Sequence, residues 1–266
     1  MKICDLKDTI EKLLSGSGKN PIVVFTAAWP FLRALEAPPK DIPQLLLDLL
    51  REIAGDRDLV MPTFTRGYKD GVCNLDEEKS LTGIVSDMLR QLPESRRSLS
   101  AFFSFSIIGP GAGELVGLKP ENGWGDHSTY DWMEKRNASF LMVGTHPTHC
   151  SYLHRMEWLA REQINYRYVK TFNGTIIRDG EHHDMVENLY VRCLEPNMVN
   201  DFTNIFDLLL AGGMEVVKLD RISIAHMNAA NMKESFLAAL LKDPYISVKN
   251  REDFEPNDRP IYQASH

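Results

Sequence analysis

Pro21-Ile22-Val23-Val24-Phe25-Thr26-Ala27-Ala28 and Asp58-Leu59-Val60-Met61-Pro62-Thr63 are the two stretches on which the fold turns. Each is a short, nearly unbroken apolar run, which reads as a strand buried on both faces. Between them, Pro38 and Pro39 precede an amphipathic helix from about Asp41 to Ala54, and Gly55 supplies the left-handed residue that stops it. Strand, helix and strand with short connections form a βαβ unit, so the chain is expected to be α/β with a parallel or mixed sheet.

Working outward, Leu6, Ile10, Leu13 and Leu14 space a first helix that ends at Ser15-Gly16-Ser17-Gly18. Arg66 to Lys79 is polar and long enough to be a functional loop, and a lid over the substrate is the expectation for it. Ser80 is read as the cap of a helix running to Gln91, and Ala101 to Ile108 and Ser139 to Gly144 as strands. The loops Gly109-Pro110-Gly111 and Asn122-Gly123-Trp124-Gly125-Asp126 sit where an α/β sheet carries its ligand. Farther on come a helix from Ser151 to Arg161 and a hairpin of Tyr166 to Phe172 and Thr175 to Arg178 around Asn173-Gly174. Strands at Met185 to Cys193 and Met214 to Ile224 then flank a helix from Val199 to Leu210, and a last helix covers Ala229 to Leu241. No linker divides the chain. Residues 1–249 are expected to form a single α/β domain with a β-rich insertion or appendage, and 250–266 a loosely ordered tail.

The 266 residues include 30 Lys and Arg against 37 Asp and Glu, a net charge of −7. That balance disfavours nucleic acid or an anionic membrane as partner and suits a cationic ligand, although its commonest meaning is solubility. Cys4, Cys73, Cys150 and Cys193 lie far apart, as in a reduced, cytoplasmic protein. The first fifteen residues have no signal-peptide pattern, and no apolar run approaches the ~20 residues that cross a bilayer.

The stretch Thr145-His146-Pro147-Thr148-His149-Cys150-Ser151-Tyr152-Leu153-His154-Arg155-Met156-Glu157 holds the densest chemistry. His154 and Glu157, three apart, share a helix face. A carboxylate beside an imidazole fixes its tautomer and raises its basicity, as a general base requires, although such pairs are also common on helix surfaces. His146, His149 and His154, with His182 and His183, offer metal-binding nitrogens at spacings that fit no closed zinc site. Cys150 at a helix start could be a nucleophile, yet a small buried cysteine is commoner. Gly109-Pro110-Gly111-Ala112-Gly113 lacks the Lys-Ser/Thr of a phosphate loop and reads as a tight turn into a helix. Arg96-Arg97-Ser98 is either a phosphate contact or a solvated turn.

Together these segments resemble the aminoglycoside 3-N-acetyltransferase family. Val60-Met61-Pro62-Thr63-Phe64-Thr65 is similar to its strand-end motif. Thr82-Gly83 through Asp87 to Arg90, then Arg97-Ser98, Ser104 and Gly109-Pro110-Gly111-Ala112, repeat its middle segment in order. Trp124-Gly125-Asp126-His127-Ser128 resembles its aromatic-Gly turn, and Ser151-x-x-His154-x-x-Glu157 its catalytic Thr-x-x-His-x-x-Glu helix. The resemblance implies a layered α/β sandwich with a central mixed sheet. It also implies acetyl-CoA as co-substrate, no metal, and a small-molecule amine or amino sugar as acceptor, with a homodimer left open. His154 and Glu157 would be catalytic. Thr26, Ala27, Thr63, Arg97, Ser98 and Ser104 would face the donor, and Thr65, Asp126, Ser128 and Ser151 the acceptor.

Phe25-Thr26-Ala27 replaces the family's His-Ser-Ser or His-Thr-Ser, Ser100-Ala101 replaces a His-Pro, and Ser151 replaces Thr. These departures favour a divergent member acting on an amino sugar over a true resistance enzyme. A sugar nucleotide would need a basic patch, for which Arg66, Lys69, Arg155 and Arg161 are the contributors. The rival readings are a non-catalytic CoA- or sugar-binding descendant and a metal-dependent hydrolase.

Overall fold

A computed structural model describes residues 1–255. The two opening runs form β1 (Ile22–Thr26) and β2 (Leu59–Pro62), joined by α2 (Ile42–Ala54) after a first helix α1 (Ile3–Leu13). β1 lies parallel to β2 on one side and to β6 (Ser139–Val143) on the other. The sheet is completed by β4 (Arg96–Arg97), β5 (Phe105–Ile108), β9 (Glu215–Leu219) and β10 (Ile222–Asn228), all antiparallel to their neighbours, in the order β4-β5-β2-β1-β6-β10-β9. The outcome is the expected mixed sheet.

Alternation along β1 explains why the run is apolar on both faces. Ile22 and Val24 point into a core shared with α1, α2 and α3 (Ile84–Arg90), while Val23 and Phe25 point into a second core. That second core is covered by α4 (Ala112–Val116), α5 (Thr129–Lys135), α6 (Leu153–Leu159), α7 (Thr203–Ala211) and α8 (Ala229–Lys242). Burying both faces makes three layers, helix on sheet on helix.

A three-stranded sheet of β3 (Val72–Asn74), β7 (Arg167–Arg178) and β8 (Glu181–Arg192) stands beside this sandwich. Here the structure corrects the hairpin. β7 and β8 pair without interruption from Arg167↔Arg192 to Arg178↔Glu181, and the turn is Asp179-Gly180, both at positive φ. Asn173-Gly174 lies inside β7 instead. Gly174 is there because a Cβ would stand 2.3 Å from the Tyr68 ring. Tyr68 belongs to the segment read as a lid, which in this structure is packed against the three-stranded sheet. β3 pairs with β7 in parallel, Leu75 N–H donates to Ile177, and the Tyr68 hydroxyl donates to buried Glu187 at 2.8 Å.

Smaller corrections have local causes. α3 begins after Gly83, not at Ser80, whose N–H is taken by the Asp87 carboxylate. Residues 101–104 bend before β5 begins. The run from Met214 breaks at Asp220, at positive φ, into the β9–β10 hairpin. The chain is also held past residue 249. Arg251–Asp253 form a 3-10 turn and Phe254 is fully buried in the second core, which corrects the start of the loose tail; its remainder lies outside the described residues. No described helix is long and apolar enough to cross a membrane.

Candidate active site

α6 carries its apolar residues Leu153 and Met156 into the second core and turns His154 toward a wall of aromatic rings. The His154 ring lies 5.4 Å from Trp124, edge to face, and 5.5 Å from Phe202. One turn on, Glu157 is fully buried, while 23% of the His154 side chain is exposed. Nδ1 of His154 stands 2.6 Å from Glu157 Oε2.

Every acceptor site of that carboxylate is engaged. Oε2 also faces Arg167 Nη2 at 3.0 Å, and Oε1 accepts from the Tyr166 hydroxyl at 3.3 Å and the Ser247 hydroxyl at 3.2 Å. Burial pushes the Glu157 pKa up, but Arg167 and then His154 more than reverse it, to about 2, so the group is ionised. An ionised oxygen 2.6 Å from a ring nitrogen requires a proton between them, so Nδ1 is the protonated nitrogen and Nε2 keeps the lone pair. Burial and the Arg167 charge hold the His154 pKa below its ordinary value against the opposite pull of Glu157, which leaves the imidazole neutral at pH 7. This is a base with one nitrogen fixed and the other available.

Arg155 holds the helix in place. Nearly fully buried, it bonds the Trp124 carbonyl at 2.6 Å and the carboxylates of Asp131 and Glu134 at 3.2 Å, tying α6 to α5. It is therefore unavailable as part of a basic patch.

The acceptor-side residues separate into two groups. Ser151 lies beside His154 on the chain, and its hydroxyl receives a bond from Tyr130 at 3.0 Å. Asp126 is exposed and lines a cavity of about 670 Å³ with Glu121, His127, Trp158, Arg161 and Asn188. Ser128 and Thr65 are both buried and bonded within the fold. Ser128 is buried and caps α5, accepting from Asp131 N–H and donating to the Gly125 carbonyl. The Thr65 hydroxyl donates to the Ala101 carbonyl and accepts from Gly67 N–H.

The donor-side residues gather at the ends of β1 and β2, each with at least one hydrogen bond inside the protein where it has a polar side chain. Thr26 donates to the Val143 carbonyl at 3.0 Å and Thr63 to the Ser104 carbonyl at 3.3 Å. Arg97, 8% exposed, bonds the Leu75, Glu78 and Thr63 carbonyls and the Ser104 hydroxyl. Ser98 accepts from Phe105 N–H, and Ala27 has no polar side-chain atom. Arg97, read as either a phosphate contact or a solvated turn, is buried with all three of its nitrogens on protein acceptors. The same edge does present apolar surface in Trp29, Leu81 and Ile84, the first 74% exposed. Gly83, just before Ile84, approaches the Thr26 carbonyl, and Leu81 N–H bonds Phe64 beyond β2. That surface fits the uncharged parts of a CoA ester.

The other histidines do not converge. His146 and His149 bond neighbouring threonines, and no three His, Cys, Asp or Glu side chains among the described residues form a metal-binding group. Cys150 is buried, and burial pushes its thiol up to about 12, far from a nucleophile's range. Gly109-Pro110-Gly111 turns into α4 over Asp58, whose carboxylate accepts Gly111 N–H.

The sequence reading missed Arg167, Tyr166, Ser247 and Asn200. Tyr166-Arg167 follows the helix within ten residues and carried a usable signal, an arginine opening a strand beside a helical carboxylate. Asn200 and Ser247 come close only through the β-bridge of Asn200 to Val248.

The family model for aminoglycoside 3-N-acetyltransferase matches residues 32–240, and the chain belongs to that family of N-acyltransferases. No curated protein matches it. Among solved structures, AAC-IIIb in a binary complex with CoASH superposes with a TM-score of 0.72 at 17% identity, covering 89% of this chain and 96% of that one. AAC-VIa bound to sisomicin gives 0.68 at 18% identity, covering 88% and 96%. The YokD protein from Bacillus subtilis gives 0.65 at 14%, covering 89% and 99%. At such identities the likeness is one of fold.

Proposed function

We propose that this chain acetylates an amino group on an amine-bearing sugar or aminoglycoside by direct transfer from acetyl-CoA, with His154 as general base. The observation that carries this reading is the fixed tautomer: Glu157 holds Nδ1, and Nε2 is left as the acceptor on a partly exposed ring. Acetyl-CoA, when bound, supplies the acyl carbon and a thiolate leaving group. His154 Nε2 takes the proton that the acceptor nitrogen sheds as it bonds that carbon, and returns it to the departing sulfur. Glu157 stays ionised throughout, orienting the ring and stabilising the transient imidazolium.

Family membership and the apolar edge at Trp29, Leu81 and Ile84 support CoA as the donor carrier, and the CoASH complex of AAC-IIIb supports it by fold analogy. Asp126 and Glu121 in the cavity beside Trp158 supply anionic contacts for an ammonium-bearing ring. The sisomicin complex of AAC-VIa makes an aminoglycoside the first acceptor to try. The free cysteines support a reducing, cytoplasmic location.

The test is thiol release from acetyl-CoA over a panel of aminoglycosides and simple amino sugars. Wild type should turn over at least one. A folded His154→Ala protein should lose about 10²- to 10⁴-fold in kcat/KM. Full activity in that variant, or no turnover by wild type across the panel, overturns the proposal.

A further inference from the structure

Arg167 is the feature that the general-base reading leaves unused. It opens β7, is 5% exposed at its side chain, and directs one nitrogen, Nη2, at three groups. These are Glu157 Oε2 at 3.0 Å, Asn200 Oδ1 at 3.0 Å and His154 Nδ1 at 3.2 Å. Nη2 meets hydrogen-bond geometry toward Asn200 Oδ1 and His154 Nδ1, and its 3.0 Å approach to Glu157 Oε2 is an ion pair. Since Nδ1 carries its own proton toward Glu157, its contact with Arg167 is one of charge and not a hydrogen bond.

The guanidinium accepts a poor environment to stand there. Its Nε is buried without a hydrogen-bond partner among the described residues, although a buried N–H ordinarily finds one. Arg97, by contrast, places both Nη atoms and Nε on acceptors. What sets this arginine apart from Arg97 is the ionised carboxylate 3.0 Å from Nη2. Among the described residues, the ion pair of Arg167 is with Glu157, and these are the two charged groups that act on the imidazole. The Tyr166 and Ser247 hydroxyls on the far carboxylate oxygen are neutral, and Trp124 and Phe202 present only rings.

We propose that Arg167 is a positioning residue that neutralises Glu157, so that His154 is kept aimed yet unprotonated and the base remains available into mildly acidic solution. A carboxylate alone at Nδ1 would favour the imidazolium, with only burial of the ring opposing it. With the guanidinium on the same oxygen, the three groups sum to zero charge before proton transfer and to +1 after it. The lowered pKa of His154 agrees in direction. The base so tuned is a mild one, so the acceptor nitrogen has to arrive largely free of its own excess proton, as an amine does on a ring bearing other ammonium groups.

This inference rests on His154 being the base, and the experiment separates the two. The pH profile of kcat/KM is measured for wild type, Arg167→Gln, Arg167→Lys and Asn200→Asp with an acceptor from the panel. The His154 imidazole is titrated by nitrogen-detected NMR in the same proteins without substrates, which needs no turnover. The acidic limb and the imidazole titration should lie below 6.5 in wild type and rise by about one unit or more in Arg167→Gln, as expected for deleting a charge this close. Arg167→Lys should restore part of the wild-type profile. Asn200→Asp puts a competing carboxylate on the same guanidinium, so it should shift both readouts the same way by less, and it carries the test if Arg167→Gln fails to fold. Folded variants with an unmoved titration, or with activity reduced equally at every pH, overturn the role of Arg167 while leaving His154 in place. Full activity in His154→Ala overturns the base itself.

Discussion

Arg97 and Arg167 are both buried arginines on strands, and they stand in opposite kinds of surroundings. Arg97 spreads its guanidinium over three backbone carbonyls and a hydroxyl, all neutral, where the ends of β2 and β5 meet the segment before α3. Burial, with Arg90 next, lowers its pKa to about 10, still charged at any working pH. Arg167 faces an ionised carboxylate and an imidazole, and one of its donors has no partner among the described residues. The first arrangement is complete and holds loops together. The second stops short of completion, and beside it His154 keeps a nitrogen lone pair available. Chemistry resides where hydrogen bonding is left unfinished.

The sharpest way to break this contrast is Glu157→Gln, which keeps the shape and removes the charge. Arg167 then becomes a buried cation without a counter-ion, so the variant should lose about 3–5 kcal/mol of stability in urea unfolding. Its kcat/KM should fall with it. The wild type carries a matching acid signature. Glu157 titrates near 4.5 when unfolded and at about 2 when folded, so its contribution is complete above pH 4.5. Roughly 3 kcal/mol is then lost as pH falls from 4.5 toward 2. Glu157→Gln should lack that portion of the acid dependence, and a variant as stable as wild type at pH 7 would show that the pair is not coupled as drawn.

Arg97→Met comes next. It orphans the carbonyls of Leu75 and Glu78, leaves that of Thr63 with the Ser104 hydroxyl alone, and should cost about 2–4 kcal/mol, with acetyl-CoA KM nearly unchanged in the folded fraction. A large rise in that KM at unaltered stability would make Arg97 a ligand and erase the contrast. Ser128→Ala should show the smallest effect, about 1 kcal/mol from the lost cap on α5, without a change in acceptor KM. A raised KM at an unchanged melting temperature would return Ser128 to the acceptor site.

The same distinction explains what could be read from sequence. The strands at Ile22 and Leu59 and the helix between them were legible because burial on both faces leaves an uninterrupted apolar run. The spacing of His154 and Glu157 was legible because helix geometry alone brings residues three apart together. The internal hydrogen bonds of Thr63, Arg97, Ser104 and Ser128 were not legible, for a physical reason. A polar residue in a family motif looks the same whether it meets a ligand or a carbonyl, and only coordinates show where its donors go. Asn173-Gly174 has the composition of a turn, yet the glycine answers to Tyr68, a contact that sequence spacing could not reveal. Arg167 escaped notice because its meaning depends on Glu157, Asn200 and His154 meeting across three separate segments.

The packing of the segment from Arg66 to Lys79 carries a consequence for where its ordering entropy is spent. Pinned by β3, by Gly174 beneath Tyr68 and by Glu187 above it, the segment is ordered when the chain folds, so the entropy of fixing it falls on folding and not on binding. Change along this face would then proceed through replacement of side chains, while the backbone that presents them stays as it is.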